Sequence, residues 1–185
     1  VSILELFGVN RAQSTVHNWV HKADLQPEPD QNPDHVAVDE TVIRLNDEQY
    51  WLYAAVDSET NELLHTRHEP TTNSMIAQAF FAELREKHDV DDVPRNRRFL
   101  VCERDATRLV NAVFLIGGSH SLKDSCHRNG LDFRYETHGN RNSVERVFQE
   151  IKHRTIRFSN FFGNVNAGTA DEWLRSFSFA WNQRI

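Results

Sequence analysis

Three stretches of strand-type sequence follow one another with only two to four polar residues between them. Nothing constrains the fold of this chain more. Val36–Leu45 is rich in β-branched residues, Asn46-Asp47 turns it, and Glu48–Asp57 carries Tyr50, Trp51, Leu52, Tyr53 and Val56. Ser58–Asn61 is the next turn and Glu62–Glu69 the third strand. Connections this short join antiparallel neighbours, so the three strands make a meander. The period then changes. Asn73 caps a helix running to about Lys87, with Ile76, Ala79, Phe80, Phe81 and Leu84 inward. Ala112–Ile116 is a short, wholly apolar run ending in Gly117-Gly118, as in a central strand buried on both faces. Ser119–Asn129 reads as a helix stopped by Gly130, and Leu131–Tyr135 as another short strand. Asn140 to about Thr155 is helical, with Val144, Val147, Phe148 and Ile151 on one face. Thr169-x-x-Glu172 is a capping box opening a last helix, on which Trp173, Phe177 and Trp181 repeat as core.

Three antiparallel strands followed by helix-linked strands is the order of an α/β, ribonuclease-H-like fold, a mixed sheet flanked by helices. Residues 35–185 form that domain. One connection is too long: Val90–Asn111 should be a few residues, and it reads as an insertion near 93–111, bearing Arg95, Arg97, Arg98, Arg104 and Arg108. Ahead of the domain, Pro27, Pro29 and Pro33 make residues 26–34 an extended linker. Residues 1–25 outline a short helix-turn-helix. Ile3, Leu4, Leu6 and Phe7 end at Gly8, and a second helix from about Ser14 to Ala23 sets Val16, Trp19, Val20 and Ala23 on one face. Arg11, Gln13, His17, Asn18, His21 and Lys22 are its outward side chains, suited to DNA or to no more than a solvated helical hairpin. The chain opens at Val1 directly into apolar-periodic sequence, as a fragment or truncated gene would.

Net charge −6 argues against a nucleic-acid partner until it is divided. Residues 1–92 hold 18 acids and 6 bases, and residues 93–185 hold 9 acids and 15 bases. That asymmetry fits a charged partner for the second half, or an unevenly charged solvated surface. Two cysteines, Cys102 and Cys126, exclude a disulfide framework and a Cys-built zinc module, and point to a reducing compartment. There is no signal peptide and no apolar run of the roughly 18 residues that a membrane span needs.

Two carboxylates stand out. Asp39 sits within an apolar strand, where it is either a solvent-facing acid or one that is paired or metal-bound. Glu145 lies on the helix begun at Asn140, and Lys152 follows it two turns on, on nearly the same face. Residues 138–157 carry five bases (Arg141, Arg146, Lys152, Arg154, Arg157) and two acids. They form either an ordinary salt-bridged helix or a metal-site carboxylate with cations along it for a phosphate backbone. His17 and His21 have the i, i+4 spacing of a metal pair, but no Glu or third ligand accompanies them. No His-x-His pair, Gly-rich phosphate loop or Gly-x-Ser-x-Gly elbow is present.

Val38-Asp39-Glu40-Thr41, Phe114-Leu-Ile-Gly-Gly-Ser-His120 and His138-Gly-Asn-Arg-Asn-Ser-Val-Glu145-Arg together resemble the DDE transposases of prokaryotic insertion sequences. The similarity is to the insertion-sequence-six type, in the version found in salt-adapted archaea, and it covers nearly the whole chain. The resemblance implies metal-dependent cleavage at an element's ends and transfer of the 3′-hydroxyl to target DNA. It implies two Mg²⁺ (or Mn²⁺) ions held by three carboxylates, a dimer or higher assembly on DNA, and a cytoplasmic, nucleoid-associated location. Asp39 matches the first catalytic carboxylate and Glu145 the third, both as metal ligands. Lys152 matches a DNA-contacting base, with Arg141, Arg146, Arg154 and Arg157 beside it and His17, Asn18 and Lys22 on the N-terminal helix. The second carboxylate position is Gly117, a lost catalytic position, so this copy is expected to be impaired. Asp105, which follows the apolar run Phe99–Cys102 and would need a shifted strand, and Asp124 on the following helix are the substitutes the sequence offers.

Overall fold

In the computed structural model, the structure describes residue 8 and residues 12–23, 25–46, 48–88, 112–136, 139–157 and 167–185. For residues 13, 16, 156 and 157 it describes the backbone alone. The three expected strands are β1 (His35–Leu45), β2 (Glu48–Asp57) and β3 (Leu63–Glu69). They pair antiparallel, Val38 opposite Ala55 and Ala54 opposite Thr66, with a register shift at Ala55/Val56. β4 (Val113–Ile116) lies parallel to β1, and β5 (Phe133–Tyr135) parallel to β4, giving the sheet order β3-β2-β1-β4-β5. Placing β4 beside β1 makes the meander's first strand central and buried on both faces, which is why Val36, Ala37 and Val38 are wholly apolar and inaccessible.

Strand alternation sorts two cores. Val36, Val38, Tyr53, Ala55, Phe114 and Ile116 face one layer, built from α2 (Ser74–Lys87) and α3 (His120–Asn129). Ala37, Leu52, Ala54 and Val56 face the other, built from α4 (Asn142–Arg157) and α5 (Ala167–Asn182). α2 begins where expected: Asn73 Oδ1 accepts from the Ile76 N–H at 2.9 Å, satisfying one of the orphan donors of the first turn. Its buried face is Ala77, Phe80, Phe81 and Leu84; Ala77, one turn before Phe81, takes the inward place expected of Ala79. Each fully buried Phe contributes about 2–3 kcal/mol through burial. α3 stops at Gly130, whose φ of 66° is left-handed, as a glycine allows. α4 turns Val144, Val147, Phe148 and Ile151 inward as its periodicity requires.

Two N-terminal expectations change. α5 starts two residues before the proposed capping box, so Thr169 and Glu172 lie inside its first turns and Glu172 is free to reach another element. In α1 (Gln13–Ala23), Trp19 and Val20 are 48% and 40% exposed rather than packed inward. The helix over Ile3–Phe7 that would cover them lies outside the described residues, as does the insertion near 93–111. Residues 25–34 are neither helix nor strand, as their prolines require, and the Asp30 N–H donates to the Lys87 carbonyl at 2.8 Å. Among the described residues no helix is long and apolar enough to cross a membrane.

Candidate functional site

Asp39 is the first β1 residue beyond the part paired with β4, since Val38 opposite Ile116 is the last pair. It shares the parity of Ala37, so its side chain turns to the α4 layer, and it is 8% exposed. Gly117 directly follows β4 and is therefore Asp39's lateral neighbour. A Cβ built on Gly117 would lie 2.7 Å from Asp39 Oδ1 and 3.2 Å from Arg141 Nε and Nη2. Glu145 sits in the first turn of α4, four residues after Arg141, which closes the short 3₁₀ turn Gly139–Arg141. Gly139 opens that turn at φ 84°. The middle of β1, where its pairing with β4 stops, the residue after β4 and the start of α4 thus meet at Asp39, Gly117 and Glu145.

Arg141 occupies the centre. Its Nη2 donates to Asp39 Oδ2 and, at 2.8 Å, to Glu145 Oε1. Burial works against the guanidinium charge, but the hydrogen bond to Asp39 and the charges of Asp39 and Glu145 outweigh it and hold its pKa above the ordinary value. Arg141 Nε is buried without a hydrogen-bond partner, which leaves the site one donor in excess. Lys152 Nζ donates to Thr41 Oγ1 at 2.5 Å, tying α4 to β1 two residues beyond Asp39. On the opposite face of β1, Glu40 is bonded to Ser119, and burial pushes its carboxyl up to about 6 against that bond.

The donors present do not fit a two-ion centre. Among the described residues no three His, Cys, Asp or Glu side chains gather to hold a metal, Gly117 offers none, and a guanidinium already bridges the two carboxylates. Asp124 pairs with Arg128 at 3.0 Å on α3, and Asp105 lies outside the described residues. The remaining bases vary in availability. Arg146 is exposed and donates to Asn61 Oδ1 at 2.8 Å, whereas Arg154 is bonded to Glu150 at 2.6 and 2.9 Å and lies over the Phe177 ring. Arg157 is described by its backbone alone, and His17, Asn18 and Lys22 are exposed on α1. Arg141 as a partner of the acids, rather than one more surface base, was missed by sequence reasoning, although its i, i+4 spacing to Glu145 carries the signal.

No family model matches the chain. It is 25% identical over 174 residues to an uncharacterised protein of Methanocaldococcus jannaschii, covering 92% of this chain and 72% of that protein. Among solved structures it is similar to a chain of the simian T-cell lymphotropic virus intasome, solved in complex with a PP2A regulatory subunit. The TM-score is 0.52 at 12% identity, over 83% of this chain and 51% of that one. The fold is ribonuclease-H-like. The chain spans about half the length of the intasome chain it matches. The catalytic core domain of HTLV-2 integrase, solved in complex with magnesium, is also matched, with a TM-score of 0.49 at 12% identity over 81% of this chain and 85% of that one.

Proposed function

We propose that this chain is a DDE-type transposase of a prokaryotic insertion element, of the insertion-sequence-six type in its salt-adapted archaeal version, with impaired strand-transfer chemistry. The observation that supports this reading is the meeting of Asp39, Gly117 and Glu145 in a ribonuclease-H-like fold. In an intact site of this kind, three carboxylates would hold two Mg²⁺ or Mn²⁺ ions, whose chemistry is to polarise phosphodiester oxygens. Here one of the three positions carries no donor, and Arg141 satisfies the other two.

What the chain's own residues retain is a means of holding DNA. Arg146, Lys152, Arg154 and Arg157 lie along α4, which starts at the acidic site, and each contact to a phosphate releases counterions. His17, Asn18 and Lys22 on α1 add a second basic and polar face, in a helix-turn-helix spanning residues 1–25 and joined by the linker 26–34. The assembly on DNA is a dimer or larger, in the cytoplasm at the nucleoid. Arg141's hold on both carboxylates favours a second reading, a non-catalytic DNA-binding protein that competes with an intact copy for the element's ends.

Binding to labelled duplexes bearing the element's terminal repeats, and strand transfer from them with Mg²⁺ or Mn²⁺, test the proposal. Binding that weakens steeply with salt, with little or no transfer, is the expected result. Robust transfer lost on Asp39→Ala refutes the impairment. Robust transfer that survives Asp39→Ala refutes the site itself. Cleavage without transfer identifies a general nuclease instead.

A further inference from the structure

Away from the acidic site, the fold adds to His17 and His21 what the sequence around them lacks. The two histidines stand one turn apart on α1 with their Nε2 atoms 3.1 Å from each other and their ring centroids 4.1 Å apart. Two imidazole nitrogens on one tetrahedral ion, at Zn–N bonds of about 2.0–2.1 Å, lie roughly 3.3 Å apart, so these need open only slightly to admit one. The other nitrogen of His21 is already engaged: Nδ1 lies 2.9 Å from Glu172 Oε2 on α5. With a carboxylate there, the ring proton sits on Nδ1, and the Nε2 lone pair turns toward His17. A carboxylate behind the non-ligating nitrogen is how ligating histidines are commonly oriented and made more basic. Glu172 comes from the far end of the chain, which is why no spacing near His17 reveals it.

We propose that His17 and His21 form a transition-metal site, with Glu172 as its positioning residue. Neutral imidazoles select Zn²⁺, Ni²⁺ or Cu²⁺ over Mg²⁺, so this site takes a different class of cation from that of a carboxylate centre. Both rings are exposed, which leaves the remaining coordination positions open to water or to a ligand from another molecule. Because Glu172 belongs to α5 and the histidines to α1, a bound ion strengthens the His21–Glu172 bond and fastens the N-terminal helix to the domain. His17 is also one of the DNA-facing residues proposed above, so the test reads metal binding in the absence of DNA. Without the ion the pair is held by a hydrogen bond, His17 Nε2–H donating to His21 Nε2, which the ion replaces.

The test uses the full chain, stripped with a chelator and titrated with ZnCl₂ by calorimetry, with MgCl₂ as control. The expected result is Zn²⁺ binding that is lost in the His17→Ala/His21→Ala double variant and weakened about tenfold in Glu172→Gln. Circular dichroism and the metal-free Tm should be unchanged in all variants, because the three side chains are at the surface. Long-range proton–nitrogen NMR should read His21 protonated at Nδ1 and, with Zn²⁺, metal-bound at Nε2, a preference that Glu172→Gln removes. No Zn²⁺ binding by the wild type, or equal binding by the double variant through the chain's other histidines, overturns the site. A double variant that loses binding while Glu172→Gln keeps full affinity and the same tautomer overturns the role of Glu172.

Discussion

Placing a carboxylate at Gly117 perturbs the acidic site where its geometry is most explicit. Gly117 does not adopt a left-handed backbone, so Gly117→Asp meets no conformational barrier. Its Cβ would lie 2.7 Å from Asp39 Oδ1 and 3.2 Å from Arg141, and both are ends of side chains that can shift. Without a divalent ion the new charge faces Asp39 at roughly 4 Å, worth about 4 kcal/mol of repulsion at an effective dielectric of 20. Arg141 offsets much of that, and a net loss of about 1–2 kcal/mol is expected. Mg²⁺ should reverse the sign. An ion that binds only the folded state, present at 100 times its Kd, adds about 2.7 kcal/mol. At roughly 2–4 °C per kcal/mol for a chain of this size, that is a rise in Tm of about 5–10 °C. Thermal unfolding in MgCl₂, against NaCl of equal ionic strength, measures it. Gly117→Asp should respond, and the wild type and Gly117→Asp/Asp39→Ala should not. A wild type that responds as strongly as Gly117→Asp, or a Gly117→Asp protein that does not respond, refutes the argument.

Other outcomes follow from the same contacts. Arg141→Ala leaves Asp39 buried without its cation and should destabilise the protein by about 3 kcal/mol in urea unfolding, a loss that Asp39→Asn in the same chain relieves in large part. Burial lowers the pKa values of His65 and His88, so the unfolded chain binds more protons than the folded one near pH 6. The stability they confer is complete above the unfolded pKa of about 6.5 and is lost as pH falls from there toward the folded values. His88→Gln, which keeps a donor for the Leu64 carbonyl, should flatten part of that decline in pH-dependent unfolding curves. Lys152→Ala should weaken DNA binding at all sequences and reduce the slope of log affinity against log salt by about 1.

Much of the fold was legible because local signals agreed. The β-branched runs, the Asn46 and Ser58–Asn61 turns, the Asn73 cap and the Gly130 stop each point to the element observed, and the short connections set the strand order. The apolar face of α1 was legible as amphipathic, but periodicity names a face without naming what covers it. Thr169 and Glu172 fit a capping pattern that the start of α5 at Ala167 overrides. Asp39 and Glu145 stood out as carboxylates on a strand and a helix, and Gly117 through the resemblance, but which face of β1 carries Asp39 was left open by the sequence and is set by the sheet. Arg141 was readable as a partner of Glu145 by its i, i+4 spacing, but not as a partner of Asp39. Its charge alone does not distinguish a surface base from a buried one, and only the turn at Gly139–Arg141 sends it across to Asp39. Glu172 beside His21 is likewise a product of tertiary folding.

Strand transfer from an end-labelled terminal-repeat duplex, with Mn²⁺ or Mg²⁺, compared between the wild type and Gly117→Asp, bears most directly on the central claim that this is a transposase site missing one carboxylate. The account predicts that both proteins bind the duplex, that the wild type transfers little or none of it, and that Gly117→Asp gains transfer that Asp39→Ala abolishes. Wild-type transfer at the level of Gly117→Asp would contradict it.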